Sequence, residues 1–159
     1  MKTLIVSHEK CTACRLCELG CSLKHEGAFY PARSRIVTEI FPEEDFYLPL
    51  TCQQCDPAPC MDACPAGALH RNEATGAVEV AEERCIGCRM CVMVCPFAAI
   101  TPIPETNKVA KCDLCGGEPE CVAFCPWGAL EYVEADAATA SRRRDLAERL
   151  RNIIGEVAV

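Results

Sequence analysis

The cysteines are the residues of this chain whose type and spacing could do chemistry. There are sixteen in 159 residues, and they fall into four groups of four with none left over. Dense cysteine groups bind iron–sulfur clusters or zinc, or they form a disulfide scaffold. Numbered one to four in chain order, the groups are Cys11, Cys14, Cys17, Cys21; Cys52, Cys55, Cys60, Cys64; Cys85, Cys88, Cys91, Cys95; and Cys112, Cys115, Cys121, Cys125.

The spacing within the groups favours cubane iron–sulfur clusters. Groups one and three read C-x2-C-x2-C-x3-C. A proline follows the last cysteine of groups two, three and four, at Pro65, Pro96 and Pro126, whereas group one has Ser22 at this position. This is the spacing of bacterial ferredoxins, in which three cysteines of one loop hold a [4Fe–4S] cluster and the fourth ligates the other cluster of a pair. We therefore predict four [4Fe–4S] clusters as cofactors, with iron bound through the cysteines.

Zinc and disulfides explain the same cysteines less well. Zinc ribbons need two C-x2-C pairs per metal, and a C-x3-C-P ending is not a zinc arrangement. The segment after Met1 is too short and too soon polar for a signal peptide, so we expect a cytoplasmic protein, where structural disulfides are rare.

Composition narrows the function classes. The formal net charge is −7, and bound clusters would make the chain more negative, so we expect no nucleic-acid partner. No run of 18 apolar residues is present, which predicts no membrane span. Only 6% of the residues are aromatic, so an ordinary hydrophobic core would be thin and the clusters would act as core.

An internal repeat organises the first 132 residues. The hexapeptide that begins at Cys64 recurs in similar form from Cys95 and from Cys125, and each copy predicts a cluster loop, a short helix, a turn and a strand. Further strands are predicted at 3–6, 35–40 and 77–80 from their apolar and β-branched residues. The stretch between groups one and two is the longest of the three connections, and there the chain could cross between ferredoxin units.

The C-terminal tail differs from the rest. Cysteine disappears after residue 132, and Leu146, Leu150, Ile153, Ile154 and Val157 fall at helical spacing. We predict an amphipathic helix in 136–159. It packs on its own domain, or it lies across a partner or a second copy of the chain and supports self-association. The nearby arginines, from Arg142 to Arg151, are either a solvated face or a docking surface for an acidic subunit.

Over residues 1 to 132 the four groups, in this order and with these spacings, resemble the iron–sulfur subunits of molybdenum and tungsten oxidoreductases, the dimethyl sulfoxide reductase iron–sulfur subunit family. Similar subunits serve hydrogenases and carbon monoxide dehydrogenases. The resemblance implies an α+β fold of two ferredoxin domains, one inserted in the other. The outer domain would comprise 1–45 and 107–135, and the inserted domain 46–106.

The same resemblance implies that group one pairs with group four, and group two with group three. Spacing alone also permits pairing of one with two and of three with four. The implied ligand sets are Cys11, Cys14, Cys17 and Cys125 for cluster 1; Cys112, Cys115, Cys121 and Cys21 for cluster 2; Cys52, Cys55, Cys60 and Cys95 for cluster 3; and Cys85, Cys88, Cys91 and Cys64 for cluster 4.

The short fourth group, with only 116–120 between Cys115 and Cys121, and the arginine-rich tail look like the compact small subunits of tungsten aldehyde oxidoreductases. A hydrogenase or a carbon monoxide dehydrogenase remains an open alternative. The resemblance implies a catalytic tungsten or molybdenum pterin subunit as one partner, and a flavin subunit or a ferredoxin as another.

The chain itself is predicted to be no enzyme. A cluster with four cysteine ligands has no vacant iron, no dinucleotide or P-loop fingerprint is present, and His8, His25 and His70 are isolated and expected at the surface. Electron transfer is the remaining role, tuned by cations beside the cysteines, namely Lys10, Arg15, Arg84, Arg89 and Lys111. Two other classes stay open, which are a metal-supported interaction module and an assembly protein acting through the tail.

Overall fold

The protein is a small mixed α/β structure built from short elements. The computed structural model describes residues 2–136, so the predicted tail helix, apart from Asp136, lies outside the described residues. Within that range the elements, in chain order, are β1 (Lys2–Val6), α1 (Leu16–Glu26), β2 (Ile36–Phe41), β3 (Phe46–Thr51), α2 (Pro59–Asp62), β4 (Leu69–Arg71), β5 (Val78–Val80), α3 (Met90–Val94), β6 (Ile100–Ile103), β7 (Lys108–Lys111), α4 (Glu120–Ala123) and β8 (Leu130–Glu134).

The strands form four separate antiparallel pairs. β1 pairs with β8, β2 with β3, β4 with β5, and β6 with β7. The β1–β8 pair places Lys2 opposite Glu134 and Val6 opposite Leu130, so the two ends of the described chain lie side by side. The helices follow the same grouping, because α1 packs against α4 while α2 packs against α3. The segments that carry groups one and four are therefore neighbours, as are those of groups two and three.

Cysteines form part of both hydrophobic cores. The core between β1, α1 and β8 includes Cys17, Cys21 and Cys121, and the core between α2, α3 and β6 includes Cys85 and Cys91. The other buried members are small or aliphatic, and no aromatic residue among 2–136 is fully buried. Side-chain packing alone thus gives each core little apolar material, as the low aromatic content predicts.

Helix α1 explains why group one lacks the proline of the other groups. The helix continues from Cys21 to Glu26, whereas α2, α3 and α4 end before the cysteine–proline step. Ser22 is fully buried, its hydroxyl donates to the carbonyl of Leu19, and it accepts a bond from the amide of Tyr30. Proline here would clash inside the helix and would lack this hydroxyl.

The β2–β3 hairpin occupies the long connection between groups one and two. The sequence predicted a strand at 35–40, close to β2, but it did not predict β3, in which Pro49 stands opposite Thr38. Proline argues against a central strand, yet it is tolerated on an edge strand, and each strand of a two-stranded hairpin is an edge. The hairpin places Thr38 and Pro49 beside the cysteines of group one.

None of the helices within residues 2–136 has the length and apolar character needed to span a bilayer.

Candidate metal-cluster sites

The first candidate site is a cavity of about 300 Å³ that gathers cysteines from the two ends of the described chain. Cys11 and Cys14 line it from the loop that leads into α1, Cys17 from the first turn of α1, and Cys125 from the turn after α4. The loop reaches this shape through left-handed backbone at Ala13 and Arg15, with φ of 55° and 59°. Thr38 also lines the cavity, and its Oγ1 lies 3.7 Å from Cys17 Sγ.

The second candidate site is a cavity of about 360 Å³ in the middle of the chain. Cys52, Cys55 and Cys60 line it from the segment that ends in α2, and Cys95 lines it from the end of α3. Lys111 lies in its wall. Each cavity thus combines three cysteines of one group with the last cysteine of another.

The remaining cysteines are also brought together across the chain. Burial is the main cause that raises the pKa values of Cys115 and Cys121. The thiolate charge of Cys21 raises both pKa values further, and the charge of Cys112 also raises that of Cys121. Cys21 therefore lies close to both cysteines. Likewise, burial first and then the charges of Cys64 and Cys85 raise the pKa of Cys91. Cys88 is exposed.

The donor set fits a metal cluster. Burial raises the pKa of Cys17 and of Cys112 to about 11, and it raises that of Cys121 further. A buried thiolate without a cation is costly, so these sulfurs ionise at neutral pH only when a cation such as iron binds them. Sixteen thiols with this arrangement suit [4Fe–4S] clusters, each held by four thiolates.

Backbone amides point at the last cysteine of each group. The amide four residues after the cysteine donates to its Sγ in three copies, from Ala68 to Cys64 at 3.3 Å, from Ala99 to Cys95 at 3.4 Å, and from Ala129 to Cys125 at 3.3 Å.

Although burial of Cys64 opposes ionisation, the amides of residues 66 to 69 lower its pKa. In group one, where α1 continues, the donor to Cys21 is instead the amide of Arg35 at 3.3 Å. Hydrogen bonds from backbone amides to cluster sulfur are a principal means of setting a reduction potential.

The cations predicted to lie beside the cysteines have different environments. Lys10, Arg15, Arg84 and Arg89 are exposed. Lys10 pairs with Glu131 at 3.0 Å, and Arg15 pairs with buried Glu18 at 2.6 Å. Lys111, by contrast, is buried.

His25 was expected at the surface, and this was wrong. Its side chain is 11% exposed, with Nε2 at 3.4 Å from Asp113 Oδ1 and 3.7 Å from Cys115 Sγ. These three residues could also hold a metal ion, but Asp113 is already paired with Arg35 at 2.9 Å. His25 therefore belongs to the surroundings of Cys115.

The sequence alone did not predict that three further residues belong to the surroundings of the cysteines, namely Thr38, Gln54 and Glu18. For Gln54 the only signal in the sequence was its position inside group two.

Trp127 lines the first cavity and is 58% exposed. Phe97 holds the same offset after its cysteine and lines the second cavity. At both cavities the residue after the cysteine–proline step is therefore an aromatic residue of the lining.

Comparison with known proteins agrees with this chemistry. Residues 44–135 match the family described as 4Fe-4S dicluster domain, and residues 8–27 match that described as 4Fe-4S binding domain. A relative in Pyrococcus furiosus, the aliphatic sulfonate oxidoreductase, polyferredoxin-like subunit, is 49% identical over 77% of this chain and 70% of its own length.

Two further relatives cover most of the chain. An iron-sulfur protein of Rhodospirillum rubrum is 35% identical over 91% of this chain and 90% of its own length. The thiosulfate reductase electron transfer subunit PhsB of Salmonella typhi is 31% identical over 87% and 79%. The predictions of [4Fe–4S] clusters and of a role without catalysis are confirmed. The chain therefore belongs to the 4Fe–4S ferredoxin-type electron-transfer subunits of oxidoreductase complexes, and it binds multiple [4Fe–4S] clusters.

Proposed function

We propose that this chain relays single electrons through four [4Fe–4S] clusters, between a catalytic oxidoreductase subunit and a second redox partner such as a flavin subunit or a ferredoxin. The observation that carries the proposal is the composition of the two cavities. Each is lined by the four cysteines of one proposed ligand set, three from one group and the last cysteine from another. This supports the pairing of group one with four and of group two with three over sequential pairing.

The proposal includes a nested arrangement of domains. The outer ferredoxin domain comprises 1–45 and 107–135, and the inserted domain comprises 46–106. The pairing of β1 with β8 and the packing of α1 on α4 support the outer domain, and the packing of α2 on α3 supports the inserted one. Nesting brings the two cluster pairs close together, and electron transfer between clusters requires short distances.

Bound clusters supply one-electron redox chemistry. The residues of this chain hold the irons through thiolates, and they direct amides at sulfur from Ala68, Ala99 and Ala129. Trp127 and Phe97 add aromatic side chains to the lining of two of the sites. Because four cysteines complete each ligand set, substrate has no open metal position to bind, and catalysis belongs to a partner subunit.

Analysis of iron and acid-labile sulfide in the anaerobically purified chain tests the cofactor count. We expect about 16 of each per chain, since a [4Fe–4S] cluster contains four irons and four sulfides. A content of half this value, or zinc in place of iron, would contradict four clusters.

Paired cysteine variants test the ligand sets. Cys17→Ala and Cys125→Ala should alter the same cluster signal in electron paramagnetic resonance spectra, because both residues line one cavity. Sequential pairing predicts instead that Cys125→Ala alters the signal that Cys91→Ala alters. Cys55→Ala and Cys95→Ala make the matched pair for the second cavity.

For the catalytic partner, we propose a tungsten or molybdenum pterin oxidoreductase. Relatives named as subunits of a sulfonate oxidoreductase and of a thiosulfate reductase support an oxidoreductase partner. Anaerobic capture of the tagged full chain from its native host, followed by metal analysis of what co-purifies, tests the choice of metal. Tungsten or molybdenum is the expected result. Nickel would favour a hydrogenase or a carbon monoxide dehydrogenase instead.

A further inference from the structure

Lys111 is a buried cation without a counter-ion among the residues that the structure describes. It is the last residue of β7, it is 2% exposed, and it directly precedes Cys112. Its Nζ donates to three neutral oxygens, which are the carbonyls of Val78 and of Cys112, the latter at 3.0 Å, and Gln54 Oε1 at 3.3 Å. Within residues 2–136 no carboxylate oxygen pairs with it. Glu79, Glu82 and Asp113 line a neighbouring pocket with Lys111 but form no ion pair with it. A buried ammonium whose hydrogen-bond partners are all neutral is costly, so a closer anion is expected.

Two sets of cysteines face this ammonium. Lys111 lines the cavity that contains Cys52 and Cys60. Lys111 also directly precedes Cys112, and its Nζ donates to the carbonyl oxygen of that residue. Lys111 therefore lies beside cysteines of group two and beside a cysteine of group four.

Gln54 connects the same two groups by hydrogen bonds. Its Nε2 donates to the carbonyl of Cys112 at 2.9 Å, and its Oε1 accepts from the amide of Val78 at 2.8 Å. The backbone amide of Gln54 donates to Cys52 Sγ at 3.4 Å. A chain of bonds and hydrogen bonds thus runs from a thiol of group two through Gln54 to Cys112 of group four.

We propose that Lys111 is the counter-charge shared by clusters 2 and 3, and that Lys111 and Gln54 mark the point where electrons cross between the outer and the inserted domains. The inference rests on the ligand sets of the proposed function. The crossing moves one electron from the reduced cluster to the oxidised one, with no bond formed or broken and no proton moved. The positive charge favours the reduced, more negative state of both clusters, so Lys111 is a positioning residue that raises two of the four potentials.

A redox titration of the full chain carrying Lys111→Met, followed by electron paramagnetic resonance, tests the proposal. We expect the iron content to stay at the wild-type level. Two of the four clusters should become at least tenfold harder to reduce, a fall of about 59 mV for a one-electron couple. The other two should not change, and Lys111→Arg should restore the shifted pair.

Lys10→Met is the matched control, because Lys10 also directly precedes a group's first cysteine but is exposed and paired with Glu131. It should move no potential by more than about threefold in the equilibrium, near 30 mV. Gln54→Glu is a second variant that keeps the lysine and its volume. It places a carboxylate 3.3 Å from Nζ, and it should lower the same two potentials even if Lys111→Met loses iron.

Unchanged potentials in iron-replete Lys111→Met, or in iron-replete Gln54→Glu if the first variant loses iron, would overturn this inference and leave the four-cluster proposal standing. Equal shifts in all four clusters would also overturn it. A wild-type chain with about half of the 16 irons expected for four clusters would overturn the proposed function itself.

Discussion

Each of the two cavities is lined by four cysteines, but the neighbouring cation is paired with a carboxylate at one cavity and with neutral oxygens at the other. At the Cys11 cavity the neighbouring cation is Arg15, which lies beside Glu18 Oε2 at 2.6 Å. At the Cys52 cavity it is Lys111, whose described partners are all neutral. A charge already neutralised by a carboxylate acts weakly on a cluster, whereas an unpaired buried charge acts strongly. On the proposed ligand sets, the cysteine pattern gives the positions of the clusters, and residues outside the pattern give the two cavities different charged neighbours.

The loops of groups three and four also differ in how tightly neighbouring atoms enclose them. Gly87 and Gly116 both have a φ of +70° and both lie next to a cluster cysteine. A Cβ on Gly87 would lie 2.0 Å from the carbonyl oxygen of Asn107, whereas one on Gly116 would meet nothing within 4 Å. The loop of group three therefore packs against backbone, and that of group four is open at this point.

Removal of iron has the largest expected effect, because it should abolish the folded structure around both cavities. Cysteines form part of both cores, so the metal-free chain loses both the cluster and the packing around it. We expect an anaerobic iron chelator to abolish the near-ultraviolet circular dichroism and the cooperative unfolding transition. A sample incubated without chelator is the control. A metal-free chain that still unfolds cooperatively would show that side chains alone sustain the fold.

Substitution of the paired glycines sharpens the difference in packing. An alanine at left-handed φ costs about 1–2 kcal/mol, and the clash at Gly87 adds about 1–3 kcal/mol. Gly87→Ala should therefore lower the anaerobic guanidinium midpoint, followed by cluster absorbance, well below that of Gly116→Ala. Gly116→Ala is the matched control because its φ is the same and its Cβ is free. Equal midpoints would mean that the Asn107 segment moves away at little cost.

The sequence predicted the chemistry because cluster binding depends on local spacing. The four groups and the strands near 3–6, 35–40 and 77–80 could be read from residue type and period alone, and the structure has β1, β2 and β5 at these places. The ligand sets required a resemblance, since spacing within a group does not say which group lies next to it. Strand β3 was missed because Pro49 is acceptable only on an edge strand, and edges are a property of the folded sheet.

The electrostatic surroundings were not predictable, because they depend on distant residues. Lys10 and Lys111 both directly precede a group's first cysteine, yet only Lys111 is buried. Its burial follows from contacts with Gln54 and Val78, which are 57 and 33 residues away in the chain. His25 was likewise misjudged, since its neighbour Cys115 is 90 residues away.

Replacement of Glu18 by glutamine tests whether the first cavity can be made to resemble the second. Glu18 is 1% exposed, its Oε1 accepts from the amide of Thr38 at 2.8 Å, and its Oε2 accepts from Arg15. The amide oxygen of glutamine can still accept from Thr38, so the fold should be retained. The substitution removes a negative charge and leaves Arg15 unpaired, and both changes favour the reduced state of the cluster at this cavity.

The released charge of Arg15 contributes the smaller part of the effect, because its side chain is 53% exposed and water screens its charge. We expect Glu18→Gln to make one cluster about threefold easier to reduce, near 30 mV in a redox titration. Glu82→Gln, at an exposed position, is the control and should move nothing. The double variant Arg15→Gln, Glu18→Gln separates the two causes, since it should return part of the shift if the released Arg15 contributes. A fall in that potential would contradict the neutralising role of Glu18.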